Sequence, residues 1–199
     1  MGCGPLISPS FASPPEWPDT LRSLDRACRR CRDDSSRLDC LAKMAYLFQD
    51  RLGDDARADS AAALALAIAE KNGDSRLILR ACNTFLDHVE TGTRYERCLS
   101  VAAKALHHCR LLHDLRLRFD IYLHLSAVHA SVNKAPEALA AARQALSIAR
   151  LLKDDTLTVI SRLCLGKAYE LNRNIMITYR HYLLVREMAE NLGNRDVLG

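Results

Sequence analysis

A repeat constrains this chain more than any other feature. Shifted against itself by 40 residues, the sequence brings its apolar runs into register without a gap. Asp34, Asp74, Asp114, Asp154 and Asn194 share one column, where a turn or helix N-cap is expected, and Arg37, Leu77, Leu117, Leu157 and Val197 follow three places later. Ala65, Ala105, Ala145 and Val185 form a second column, and Ala69, Cys109, Ala149 and Ala189 a third. Between these two lies the column of Ile68, His108, Ile148 and Met188. A fixed period of this size is the mark of a stacked array, in which each unit is too small to bury its own apolar face.

Punctuation within the unit gives its secondary structure. Gly53, Gly73, Gly92 and Gly193 stand between apolar-periodic runs, where helix terminators belong. Pro136 follows Ala135 and precedes Glu137, which fits the first turn of a helix. No run alternates β-branched and aromatic residues, so strands are not expected. The reading is eight helices at 37–51, 55–72, 75–91, 94–112, 115–132, 135–152, 155–172 and 175–192, with an extra one at 20–32. Each spans about 25 Å at about 1.5 Å per residue. The fold class is all-α: a right-handed solenoid of antiparallel helix hairpins over 20–199, with about four to five units. Residues 1–19, which hold Pro5, Pro9, Pro14, Pro15 and Pro18, are read as a flexible Pro/Ser-rich leader.

Composition narrows the function classes. The net charge is +4, and from Val101 onward 14 basic residues face 9 acidic ones. The cations are spread rather than clustered, so no nucleic-acid partner is expected. The longest uncharged apolar stretch, Ser60 to Ala69, is about half of the ~20 residues a spanning helix needs. The eight cysteines fall largely at small-residue packing positions, as fits reduced fillers in a cytoplasmic protein. Gly2 and Cys3 would suit dual acylation, although Leu6 stands where that motif wants Ser or Thr; a membrane partner is expected only if they are acylated.

Three constellations invite a chemical reading. Cys28 and Cys31 form a C-x-x-C flanked by Arg29 and Arg30, with Cys40 as a third thiol. The pair lies late in a helix, however, and Cys28 aligns with Ile68 and Ile148, a core column, so packing is expected rather than redox or zinc chemistry. His107, His108, Cys109 and His113 place two ligand types four apart, but Cys109 replaces a packing alanine, His108 a core isoleucine, and His113 occupies a turn. No metal or other cofactor is expected. The acidic pairs Asp33-Asp34, Asp54-Asp55 and Asp154-Asp155 fall at inter-helix turns, where carboxylates cap the next helix, while Glu187 and Glu190 read as a solvated face. No phosphate loop, zinc-protease motif, nucleophile elbow or dinucleotide fingerprint occurs, so no enzyme activity is expected.

A 40-residue period admits HEAT, armadillo and long tetratricopeptide (TPR) repeats; the small-residue columns favour the last. The run Leu165-Gly166-Lys167-Ala168-Tyr169 resembles the TPR first-helix core, and Ala138 and Ala145 match the family's two second-helix alanines, as Cys98 and Ala105 do one unit earlier. Ser126 and Leu86 replace the glycine, His129 and Val89 the tyrosine, and Thr178 one alanine. Unit length and the Arg80-Ala81-Cys82 register look like the Pins and rapsyn branch. The resemblance implies that first helices line a concave groove for a partner's peptide segment. Carried over by register, the groove residues are Arg80, Asn83, Asp87 and Glu90, then Asp120, Leu123, Ala127 and Ala130, then Ile160, Leu163, Lys167 and Glu170. The expected function is a non-enzymatic scaffold or adaptor; the alternative is a regulatory or sensory segment of a larger signalling protein. Ile177, Leu184 and Met188 on the last helix are expected to present an uncovered face suited to self-association or another domain.

Overall fold

The computed structural model describes residues 19–88, with backbone alone at His88, and residues 95–193. Residues 1–18 of the expected leader, the Gly2/Cys3 acylation reading, the Gly92 terminator, Glu90 and the Asn194 and Val197 positions lie outside the described residues, while Asp19, expected in the leader, begins the first helix. Within them the chain is helical throughout: α1 (Asp19–Arg30), α2 (Asp34–Leu52), α3 (Asp55–Asn72), α4 (Ser75–His88), α5 (Tyr95–Leu111), α6 (Leu115–Ser131), α7 (Ala135–Leu152), α8 (Asp155–Leu171) and α9 (Ile175–Asn191).

Helix starts follow from side-chain caps. Asp54, Asp114 and Asp154 accept hydrogen bonds from the backbone N–H groups three residues on, at 3.0, 2.9 and 2.9 Å, each satisfying a donor that an unfinished first turn leaves open. At α2 the expected start was residue 37, but the helix begins at Asp34 because Asp33 is the cap. Its carboxylate accepts from both the backbone N–H and the hydroxyl of Ser36, at 2.7 and 2.8 Å. Asp34, the column residue, instead accepts from the Asn72 side chain at 2.9 Å, tying α2 to the end of α3.

Helix ends reveal a finer period than the sequence discloses. Left-handed backbone recurs every 20 residues: Gly53 (φ 61°), Gly73 (83°), His113 (53°), Asn133 (59°), Lys153 (52°), Arg173 (53°) and Gly193 (65°). At four of these turns the next residue's N–H reaches the carbonyl five back, as in Asp114 to Cys109 at 3.0 Å and Asn174 to Tyr169 at 3.0 Å, closing the helix with a Schellman-type bond. Turns within a hairpin and turns between hairpins therefore share one geometry.

Packing follows the columns. Ala65, Ala105, Ala145, Ala69, Cys109, Ala149 and Ala189 are all essentially buried, and their small side chains let neighbouring helices approach closely. The large filling residues are Phe48, Phe85 and Phe119, each fully enclosed, and each contributes about 1.5–3 kcal/mol from removing its ring from water. Gly166 is where the closest approach occurs. A Cβ there would stand 2.5 Å from Cε1 of Tyr182, so the α8–α9 hairpin depends on its absence. At the equivalent place in the preceding hairpin, Ser126 donates its hydroxyl to the Ala138 carbonyl at 3.1 Å.

Curvature comes from which helices touch. Each helix packs on the next along the chain, and α2, α4, α6 and α8 also pack directly on one another in turn. Among the described residues, the backbones of α3, α5, α7 and α9 make no such mutual approach. One edge of the stack is closed and the other is fanned, which bends the array with α2, α4, α6 and α8 on its inner side.

Candidate functional groove

The inner side carries a polar cluster where α2, α4 and α6 meet. Arg80 donates to the Ser35 hydroxyl at 2.9 Å and pairs with Asp39, so this guanidinium bridges α2 and α4 rather than standing free for a partner. One turn on, the Asn83 amide nitrogen donates to Asp87 at 3.0 Å. Asp87 in turn lies 2.9 Å from Nε2 of His124 on α6. The Asn83 carbonyl oxygen is buried and has no hydrogen-bond partner among the described residues. Asn83 also lines a cavity of about 220 Å³ whose walls include Leu38, Ala42, Ala81, Thr84 and Leu117. An orphaned buried acceptor costs about 1–3 kcal/mol.

Asp120 faces the same cluster from α6. Burial raises its carboxyl above the ordinary carboxylate range, and Asp87 and Asp114 add to this, outweighing Arg116 and His124. Arg116 stands 3.9 Å from Asp120 and 3.6 Å from Asp154 on α8, so its charge is shared. The result is a carboxylate pair, Asp87 and Asp120, whose compensation is partial.

The rest of the groove is apolar toward α8. Leu123 and Ile160 are half-buried and pack on the cluster around Phe119, Ala145 and Leu157, and Ala130 packs on the one formed by Ala138, Leu165 and Ala168. Leu163 is also half-buried, while Ala127, Lys167 and Glu170 are exposed. Glu170 accepts the Tyr182 hydroxyl at 3.0 Å, and burial raises that phenol to about 12. The structure thus brings Arg80, Asn83, Asp87 and Asp120 together, with Leu123 in the apolar part of the groove and Lys167 and Glu170 apart on α8. Asp39, Ser35 and His124 belong to the same cluster and were missed. Asp39 is two register steps before Phe119, and no column marks it; His124 is in helical register with Asp120, which is the signal that could have found it.

The thiol constellations pack as their columns imply. Cys28 is half-buried against the main core, and its thiol is pushed up to about 11 by burial, then by Cys40 and Cys31. Cys31 and Cys40 place their sulfurs 3.9 Å apart as free thiols. Cys109 is fully buried, His108 is half-buried with Nδ1 2.9 Å from the Ser75 hydroxyl, and His113 forms a left-handed turn. Among the described residues, no three His, Cys, Asp or Glu side chains are grouped to hold a metal ion. None of the described helices is long and apolar enough to cross a membrane.

The geometry defines a class: an all-α repeat solenoid of TPR type with a lined concave face. Two solved structures share it, at sequence identities that speak to the fold alone. BtubC (BKLC) from P. vanneervenii superposes with a TM-score of 0.72 at 19% identity, over 88% of this chain and 72% of that one. A Podospora anserina putative kinesin light chain with nearly identical TPR-like repeats gives a TM-score of 0.72 at 15% identity, over 88% of this chain and 86% of that one. No protein-family model matches the sequence, and no curated protein matches it.

Proposed function

We propose that the chain is a non-enzymatic interaction scaffold that holds a peptide segment of a partner protein in the groove of α2, α4, α6 and α8. The observation that carries this reading is the buried Asn83 carbonyl, without a partner among the described residues, on a side chain that lines the groove cavity. A peptide N–H is the donor it lacks. The partly compensated Asp87 and Asp120 favour a cationic side chain beside that contact, and the half-buried Leu123, Ile160 and Leu163 favour an apolar anchor toward α8. The TPR-type fold supports an interaction role in general, and the 40-residue unit supports a place near the Pins and rapsyn branch. The test is affinity capture from lysate with mass spectrometry, comparing wild type with an Asn83→Ala/Asp87→Ala variant. A partner retained by wild type and lost by the variant is expected; partners indifferent to the substitutions would remove the groove assignment.

A second reading is a regulatory segment whose output domain docks on α9. It draws on one observation. Ile175, Met176 and Tyr179 are 78, 81 and 63% exposed, and Met176, Ile177, Tyr179, Leu183 and Leu184 border an open apolar depression on that helix. Of the predicted face, Ile177 and Leu184 line this depression while half-buried, and Met188 is half-buried as well. Sedimentation over a hundredfold concentration range separates self-association of α9 from a monomer that waits for another domain.

A further inference from the structure

On the fanned side of the array, the space between successive second helices is a furrow floored by the first helix between them. In the α3/α5 furrow the floor residue is Cys82, with Glu70 and Lys104 as its charged neighbours. Those two side chains form an ion pair across the furrow. Eighty residues on, the register places Arg162 on the floor between α7 and α9, and the position of Glu70 is taken by Arg150. The charged neighbours of Arg162 are Arg150 from α7 and Arg180 from α9. Where Glu70 and Lys104 compensate each other across the first furrow, the two charges that bear on Arg162 are both positive.

Among the described residues, no carboxylate lies within ion-pair distance of Arg143, Arg150, Arg162 or Arg180. The Nε of Arg162 is buried without a hydrogen-bond partner, and so is Nδ1 of His181, which stacks on Tyr169 at a centroid distance of 5.5 Å. His181 has Arg162 and Arg180 as its charged neighbours, which places it in the same cluster. On the α7 wall an open depression of about 400 Å³ is bordered by Arg143, Ser147 and Arg150.

We propose that the α7/α9 furrow is an oxyanion site that takes a phosphomonoester, presented as a phosphorylated side chain of a partner protein, on Arg150, Arg162, Arg180 and His181. The site's chemistry selects the ligand. Three guanidiniums offer more donors than the two oxygens of a carboxylate can accept, whereas a phosphomonoester carries close to two negative charges and three terminal oxygens. Guanidinium forks match those oxygens in pairs. The furrow lies on the opposite side of the array from the groove, so the two sites stand or fall independently.

The test uses the full chain and inorganic phosphate first. Thermal unfolding is followed in phosphate and in chloride at equal ionic strength. A higher midpoint in phosphate is expected, abolished in Arg150→Gln/Arg180→Gln, whose exposed side chains leave the core intact, and retained in the control Lys153→Gln. Equal midpoints in the two salts, or the same loss in the control, would overturn the site. A degenerate phosphoserine peptide pool is then compared with its serine counterpart, with binding expected to be at least tenfold tighter for the phosphorylated pool. Equal binding of both pools would overturn the phosphomonoester assignment. Preferential binding to vesicles containing phosphoinositide over the phosphorylated pool would overturn the protein source.

Discussion

The 20-residue recurrence of left-handed backbone makes a prediction that runs in two directions. A non-glycine residue there costs about 1–2 kcal/mol from the clash of its Cβ with the following carbonyl, while glycine costs about 0.5–1 kcal/mol in extra freedom of the unfolded chain. The difference is about 0.5–1 kcal/mol in favour of glycine. Gly73 isolates the backbone contribution, since a Cβ placed on it meets nothing within 4 Å. Gly73→Ala should therefore lose about 0.5–1 kcal/mol with no packing penalty. Arg173→Gly should gain a similar amount, because Arg173 forms the same turn at φ 53°. Asn133→Gly should gain least, since asparagine tolerates this region better than other side chains. Urea unfolding reads all three, and an unchanged slope with a moved midpoint identifies a native-state effect. A neutral Gly73→Ala, or a destabilised Arg173→Gly with the slope preserved, would refute the strain argument.

Other consequences follow from single contacts. Gly166→Ala forces the Tyr182 ring out of a 2.5 Å clash and should cost about 1–3 kcal/mol, with partial recovery in Gly166→Ala/Tyr182→Ala by the same unfolding assay. Asp154→Ala removes the α8 cap bond to Leu157 and should cost about 1 kcal/mol. Ser36 holds the Asp33 carboxyl below the ordinary carboxylate range, chiefly through its backbone N–H and then its hydroxyl. The stability this gives is present above the unfolded pKa of about 3.9 and is lost as pH falls through the depressed native value, so Asp33→Asn should flatten the acid limb of a stability–pH profile. Burial pushes the Cys82 thiol up to about 12; it should resist alkylation in the native protein at pH 8 and react once guanidinium unfolds the chain.

The fold was legible because its determinants are periodic. Alanine columns at 65, 105 and 145 and at 69 and 149 had to be buried interfaces, and they are. Boundaries were read within about one residue where a cap sat on the repeat column, as at Asp114 and Asp154, and missed by three at α2, where Asp33 and Ser36 made a local capping pair off the column. The 20-residue turn period was invisible because four of its seven described positions are His, Asn, Lys and Arg. Neighbouring helices hold these residues in the strained geometry, and no local preference announces it. In the groove, register supplied Arg80, Asn83, Asp87 and Asp120 but not Ser35, Asp39 and His124. The bridge from Arg80 to Ser35 and Asp39 joins residues 45 and 41 apart in sequence, which no local pattern encodes. Arg80, expected with Asn83 to meet a partner, also bridges to Ser35 and Asp39 of α2.

The central claim is that Asn83 completes its hydrogen bonding with a bound peptide. Its most direct test is the affinity of a peptide selected from a displayed random library against the wild-type chain, measured by fluorescence polarisation. Asn83→Ala should weaken binding about tenfold, equivalent to about 1.4 kcal/mol, while Arg143→Gln on the opposite side should stay within about twofold. Binding that tolerates Asn83→Ala within that same twofold margin would contradict the groove account.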